Sequence, residues 1–437
     1  MADRRKRWLT VAKLVLAAGL IAWVCTMINF EDHLVLETYP KGDPRGDWIG
    51  EIERPEKGIW RFTPEAGGEA LTIPGDEPQG ELAGGAGSWT VALDDGSTIA
   101  LPTFGDQDPE GIRAGERVVV IVQEGLPTLL QRARYEWLLV GLLAFALATL
   151  VAVARWQLLL RAQNILVPFR RAYSLTYIGY FFNNIIPGLT GGDLVKAFFV
   201  ARDTDRKTGA VVSVIVDRVV GLLALALIAA VMVLLDPDDF KPVAVIIYGF
   251  LGVSALGGIV LYSRRIRRWL RLEVLFERLP AKKVLQEIDA AFFIYRNQKM
   301  ALVIALLMSF VNHFGVISIY VFAGMAIGVD ADIVSYFITV PVINIVTAIP
   351  LAPGGWGLGE WASVEFLELA GIGMTQAFTI SLLFRLSLLV SSLPGGIFLA
   401  VSGSRVSEEE IERELSTDAP DEARPATEAD ASRDATA

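Results

Sequence analysis

Six stretches of this chain are long and apolar enough to cross a lipid bilayer, and two more would be if proline and glycine did not break them. The uninterrupted runs are Trp8–Ile28, Trp137–Leu160, Gly209–Leu235, Val243–Tyr262, Met300–Ile327 and Gln376–Val401. About 20 predominantly apolar residues suffice to span the hydrocarbon core. One broken run, Tyr173–Val200, is interrupted at Pro187-Gly188-Leu189-Thr190-Gly191-Gly192. The other, Ile333–Leu369, is interrupted at Pro350-Leu351-Ala352-Pro353-Gly354-Gly355-Trp356-Gly357. Lipid offers no partner to an unpaired backbone amide, so such breaks survive only where protein or a watery cavity surrounds them. These runs predict an all-α polytopic membrane protein.

Composition agrees, with 53% hydrophobic and 20% charged residues among 437 and a mean hydropathy of +0.46. Soluble domains carry about 25% charged residues. The net charge of −10 is unevenly spread: residues 30–134 carry −11 and 404–437 carry −7, leaving +8 for the apolar body. The high hydrophobic and low charged fractions exclude a disordered chain and a nucleic-acid binder with a generally basic surface. The single cysteine, Cys25, allows no internal disulfide and no multi-cysteine metal site, and no cofactor is expected.

The first run follows the basic cluster Arg4-Arg5-Lys6-Arg7. A cleaved signal peptide is the competing reading. The run is long for a signal core and no Ala-x-Ala site follows Cys25, so residues 1–29 are expected to be an uncleaved anchor. Residues 30–134 are rich in glycine, proline and acids. Short strand-like stretches (Trp89–Leu93, Arg117–Val122) and the turn Asp94-Asp95-Gly96 predict a small β-rich unit. Its lone His33 reads as an ordinary surface side chain. Residues 135–403 form the membrane region, and the acidic, alanine-rich tail 404–437 is expected to be disordered.

Cytoplasmic loops are enriched in Lys and Arg. By that rule the basic N-terminus, the turn 155–171 with Arg155, Arg161, Arg170 and Arg171, and the group Lys196, Arg202, Arg206 and Lys207 lie inside. The same holds for 263–299, with 10 bases and 4 acids. Its apolar residues Ile266, Trp269, Leu270, Leu272, Leu275 and Phe276 suit a helix lying on the inner leaflet, although any positive-inside loop looks similar. Asp236–Pro242 and the loop with Asp330 and Asp332 read as outside. The count closes with six full spans plus two re-entrant hairpins of opposite orientation, the pattern of an inverted-repeat transporter. Both termini then fall inside and residues 30–134 outside.

Ionisable residues within membrane runs are functional candidates by default. Asp217 and Arg218 lie roughly 13 Å into their helix at 1.5 Å per residue, and they point about 100° apart, so they do not simply pair with each other. Arg385 is the deepest lone cation, facing either a wet cavity or a structural partner such as Asp217 or Glu360. Asp193 and Glu360 open the helices after the glycine breaks. They read either as caps for free amides or as polar groups lining a cavity between the hairpin tips. Asn183, Asn184, Pro187, Gly191, Gly192 and Lys196 complete the first candidate site, and Pro353, Gly354 and Gly355 the second. Asn312 and His313 lie within the Met300 run; the amides suit interhelical bonding, and a proton relay through His313 has little support.

Asn183-Asn184-x-x-Pro187-x-x-x-Gly191-Gly192-Asp193, Asp217-Arg218-x-x-Gly221, Pro350-x-x-Pro353-Gly354-Gly355-x-Gly357-x-x-Glu360 and Arg385 together resemble the flippase-like membrane region of lysylphosphatidylglycerol synthases and its stand-alone relatives. The likeness covers residues 137–402 and extends to the first helix. It implies lipid handling: moving a charged phospholipid or glycolipid head group across the bacterial cytoplasmic membrane. The bifunctional synthases continue into a soluble aminoacyl-transferase domain, whereas this chain ends in its acidic tail, so lysyl transfer is not expected. A membrane-embedded transferase acting on a polyprenyl-phosphate lipid and a non-catalytic envelope scaffold stay open as alternatives. Expected partners are anionic or head-group-modified lipids; a homodimer and an envelope protein docking on 30–134 also stay open.

Overall fold

A computed structural model of the chain describes residues 2–38, 44–56, 59–65, 70–74, 78–85, 88–94, 96–101, 117–185, 192–204, 206–235, 237–238, 240–262, 294–295, 297–349 and 353–402. Pro187, Gly191, Pro350, the amphipathic segment 263–293 and the acidic tail lie outside the described residues. The chain falls into two compact units. One comprises Met1–Leu143, Met232–Val243 and Ile317–Ser387, the other Ala144–Val231, Ala244–Val316 and Leu388–Ala437.

The first unit opens with helix α1 (Ala2–Cys25) and an eight-stranded sheet: β1 (Asp32–Thr38), β2 (Pro44–Glu56), β3 (Ile59–Pro64), β4 (Leu71–Pro74), β5 (Gln79–Gly85), β6 (Ser88–Leu93), β7 (Thr98–Ala100) and β8 (Arg117–Gln123). Every neighbouring pair is antiparallel, in the order β4-β3-β2-β1-β8-β5-β6-β7. Side chains alternate as a pleated strand requires: in β3, Trp60 and Phe62 are buried while Arg61 and Thr63 are exposed. The buried face collects Leu34, Leu36, Phe62, Ile73, Leu82, Val91, Val118 and Val120. The sheet curls until its short edge strands β4 and β7 come within 8 Å of each other. Gly96 takes a left-handed φ of 86° in the β6–β7 turn, as the Asp94-Asp95-Gly96 signal requires. His33 is not lone, because its Nδ1 lies 2.7 Å from Asp47 Oδ1 on the neighbouring strand.

Asp32 ties the sheet to the short helix that follows it. Its buried carboxylate accepts from Gly125 N at 2.6 Å, Ile52 N at 3.1 Å and Thr128 Oγ1 at 3.0 Å. Gly125 caps helix α2 (Leu126–Arg132) without a side chain, so the strand residue supplies the anion that a helix N-terminus favours. Asp32→Ala leaves three donors short of an acceptor and is expected to cost about 2 kcal/mol. A fall of several degrees in the apparent Tm of the detergent-solubilised protein would register it; an unchanged Tm would show the clamp to be idle.

The helical body follows with α3 (Tyr135–Ala162), α4 (Phe169–Ile185), α5 (Gly192–Arg202), α6 (Lys207–Met232), α7 (Lys241–Tyr262), α8 (Lys299–Ile327), α9 (Ile333–Thr347), α10 (Leu358–Glu368) and α11 (Met374–Ser402). Among the described residues, five helices are long and apolar enough to cross a membrane: α3, α6, α7, α8 and α11. The apolar part of α1, Val15–Cys25, and α9 are shorter. Exposed apolar stripes suit lipid contact, as with Leu139, Leu143 and Leu147 at four-residue spacing on α3, and Val245, Val253 and Leu256 on α7. The protein is therefore a multi-pass membrane protein with a small β-sheet region near its N-terminus.

In the second unit α4 and α5 pack backbone to backbone, since a Cβ on Gly192 would stand 1.8 Å from the Gly179 carbonyl oxygen. Trp156, Phe182, Phe198 and Phe199 fill the core beside them. In the first unit α1 lies against the second break: a Cβ on Gly357, which has φ of 79°, would reach within 2.6 Å of Ala17 O.

Candidate functional site

The helical body repeats itself. Helices α3, α4, α5 and α6 have 28, 17, 11 and 26 residues, and α8, α9, α10 and α11 have 29, 15, 11 and 29. In each set a Gly-acid pair opens the third helix, and that acid pairs with an arginine 25 residues later: Asp193 with Arg218, Glu360 with Arg385. Both arginines lie on the fourth helix of their set. The likeness between the two sets of helices thus includes this pairing.

In the second unit Asn183, on the last full turn of α4, accepts the Gly192 amide at 2.6 Å and so caps α5 from across the break. Asp193 is the second residue of α5, where its charge suits the helix N-terminus. Its Oδ1 receives Lys196 Nζ at 2.8 Å and its Oδ2 receives Arg218 Nε. The Lys196 stem is buried, with Nζ 5.0 Å from the centre of the Trp156 ring. Arg218 differs: 49% of its side chain is exposed.

Next to Arg218 on α6, Asp217 takes a bidentate pair from Arg155 on α3, Nε to Oδ1 at 2.7 Å and Nη2 to Oδ2 at 3.0 Å. The third nitrogen, Nη1, donates to Ser309 Oγ on α8 at 2.7 Å. Both partners are buried. His313, one turn after Ser309, places Nε2 2.9 Å from the Gly221 carbonyl oxygen. Among the described residues this cluster holds three cations (Arg155, Lys196, Arg218) against two carboxylates (Asp193, Asp217). A surplus positive charge among apolar helices is costly unless an anion or water meets it.

In the first unit the corresponding pair is closed. Glu360, third residue of α10, accepts Gly357 N at 2.6 Å through Oε2 and Arg385 Nε at 2.8 Å through Oε1. Gly357 has no side chain to return the bond, so only half of a capping box forms. The Arg385 fork closes over the break, with Nη1 on Gly354 O at 2.7 Å and Nη2 on Gly355 O at 2.5 Å, and the Trp356 ring centre 5.2 Å from its Cζ. Gly354 and Gly355 adopt left-handed φ of 60° and 69°, and a Cβ on Gly359 would meet Arg385 Nη2 at 2.5 Å. One cation and one carboxylate, both buried, balance here. Arg385 is therefore not lone. Where Asp217 precedes Arg218, Phe384 precedes Arg385, and its ring packs tilted against Tyr320 with centroids 4.4 Å apart. The charged pair of one repeat is an aromatic pair in the other.

The structure thus gathers Asn183, Gly192, Asp193, Lys196, Asp217 and Arg218 around one centre, and Gly354, Gly355, Glu360 and Arg385 around another. Pro353 opens the short turn Pro353–Gly355. Asn184 turns back to its own helix, donating to Tyr180 O at 2.9 Å, and Asn344 does the same to Val340 O. Sequence reasoning placed Arg155 in a cytoplasmic turn and counted Lys196 among loop charges. Both are buried within helices, which removes them from the charge count that set the topology. The signal for Arg155 was its position inside the apolar run Trp137–Leu160.

Comparison with known proteins follows the same elements. A Pyrococcus horikoshii protein described as a UPF0104 membrane protein is 24% identical over 299 residues, covering 62% of this chain and 88% of the relative. No solved structure matches. The family model for the lysylphosphatidylglycerol synthase TM region matches residues 118–395, from β8 into α11 and across both acid–arginine pairs, and the chain belongs to that family.

Proposed function

We propose that this protein is a lipid translocase of the cytoplasmic membrane that takes the phosphate of an anionic lipid head group at the Asp193–Lys196–Arg218 cluster. The carrying observation is the unbalanced charge: three cations face two carboxylates, and the half-exposed Arg218 is the member with donors to spare. A phosphodiester brings one negative charge and oxygens that match a guanidinium fork. Amides at the start of α5 add the positive end of a helix. Arg385 and Glu360, balanced and closed, hold the second break in shape in this reading rather than touching the lipid.

The reading includes the finer architecture: six full spans, with α4–α5 and α9–α10 as re-entrant hairpins of opposite orientation, both termini cytoplasmic and the sheet outside. Arg161, Arg170, Arg171, Arg202, Arg206 and Lys207 still support the inside assignment once Arg155 and Lys196 are set apart. Family membership supports a lipid as the object handled.

The test is flipping of fluorescent phosphatidylglycerol in reconstituted vesicles, read by the fraction of probe a membrane-impermeant reductant quenches. The wild-type protein is expected to equilibrate the probe between leaflets. Arg218→Ala should slow this about tenfold or more, and Arg218→Lys should retain part of it. Equal rates for wild type and Arg218→Ala would remove the cluster from the transport path.

A further inference from the structure

His313 is a buried base that the headgroup site does not yet account for. Its Nε2 faces the Gly221 carbonyl, which can only accept, so Nε2 carries the hydrogen. Nδ1 is then a lone pair. It is buried and has no hydrogen-bond partner among the described residues, an expensive arrangement for a polar atom within a helix bundle. Gly221 borders both side chains: a Cβ there would lie 3.7 Å from His313 Nε2 and from Arg155 Nη1, an ordinary contact distance.

The surrounding charges belong to the anion cluster. Arg155 reaches in from α3 and Asp217 from α6, one turn before Gly221. Ser309, one turn before His313 on α8, holds Arg155 Nη1. Beyond them Lys196 on α5 interacts electrostatically with Asp217, and Tyr180 on α4 with Arg155; Asp193 on α5 faces Lys196 and Tyr180. A proton on Nδ1 raises the surplus charge of this group from one to two, so Arg155 opposes it while the headgroup site stands empty. A bound phosphodiester cancels one charge and relieves that opposition.

Resting on the reading of the cluster as a headgroup site, we propose that His313 Nδ1 is a proton site linked to it, so that an anionic head group and a proton bind together. The proton comes from solvent onto the free lone pair, and no other bond is made or broken. Linkage is reciprocal: if the head group favours the proton, the proton favours the head group by the same factor.

Binding of fluorescent phosphatidylglycerol to the full-length protein in detergent tests this, with diacylglycerol as the uncharged control. Between about pH 7.5 and about pH 5.5 the wild-type Kd should tighten about tenfold. His313→Gln, whose amide can still donate to the Gly221 carbonyl but takes no proton, should bind with one Kd at both. Independently of any variant, adding phosphatidylglycerol to the wild-type protein in weakly buffered solution should draw protons from solvent. A pH-independent wild-type Kd without proton uptake overturns the linkage while leaving the headgroup site standing, and so does a His313→Gln variant that keeps the full pH response. Phosphatidylglycerol binding no better than diacylglycerol at either pH overturns the headgroup site and the linkage together.

Discussion

Arg385→Ala is expected to leave little correctly folded protein. The substitution strips Glu360 of its only charged partner among the described residues and orphans the Gly354 and Gly355 carbonyls, which lie in left-handed backbone. Breaking a buried ion pair by removing one member costs about 3–5 kcal/mol, a large share of a total stability of about 5–15 kcal/mol. The apparent Tm in detergent should fall by about 10 °C, with loss of the monodisperse species on size exclusion. Arg385→Lys should recover little, since one ammonium cannot bridge three acceptors in a fixed fork. Removing both charges, as in Arg385→Met with Glu360→Leu, should be milder than the single change because no uncompensated ion is left. A single variant as stable as wild type would show that the arginine does not hold the break.

The second large effect is a contrast between two partners of one bond. Arg155→Met and Asp217→Asn both break the bidentate pair and should each cost about 3 kcal/mol of stability. Their effects on an anion should be opposite. Without Arg155 the cluster's surplus positive charge disappears; without the Asp217 charge it doubles. Phosphatidylglycerol affinity should therefore drop about tenfold in the first and rise in the second. Affinities that move together would mean that damage to packing, not charge, governs binding.

Much of this architecture was legible in the residues because membranes impose blunt rules. An apolar run of bilayer length, or a Pro/Gly break within one, has few physical explanations, so the helices and the positions of Asp193 and Glu360 could be read directly. Pairing was harder. Arg155 stands in the same stretch as Arg161, Arg170 and Arg171, and a rule that sums charges by loop cannot see that α3 continues seven residues past it to Ala162. The fate of an ionisable side chain is set by what another helix presents, here Asp217 from 62 residues away. Arg385 shows the same limit: the sequence marked it as costly, while only the fold shows that Glu360 and two carbonyls absorb the cost. The sheet was read from two stretches and a turn signal. Its pairing of β1 with β8 and the burial of Asp32 depend on contacts distant in sequence.

Where Gly179 meets Gly192, main chain presses on main chain with no side chain between to act as a bearing. Two helices seated this way cannot slide or roll past one another without colliding, so α4 and α5 travel as a single stiff lever. Any stroke it makes must swing about its roots, at the turn after Ala162, where Asn164 already bends into left-handed backbone, and in the chain beyond Arg202.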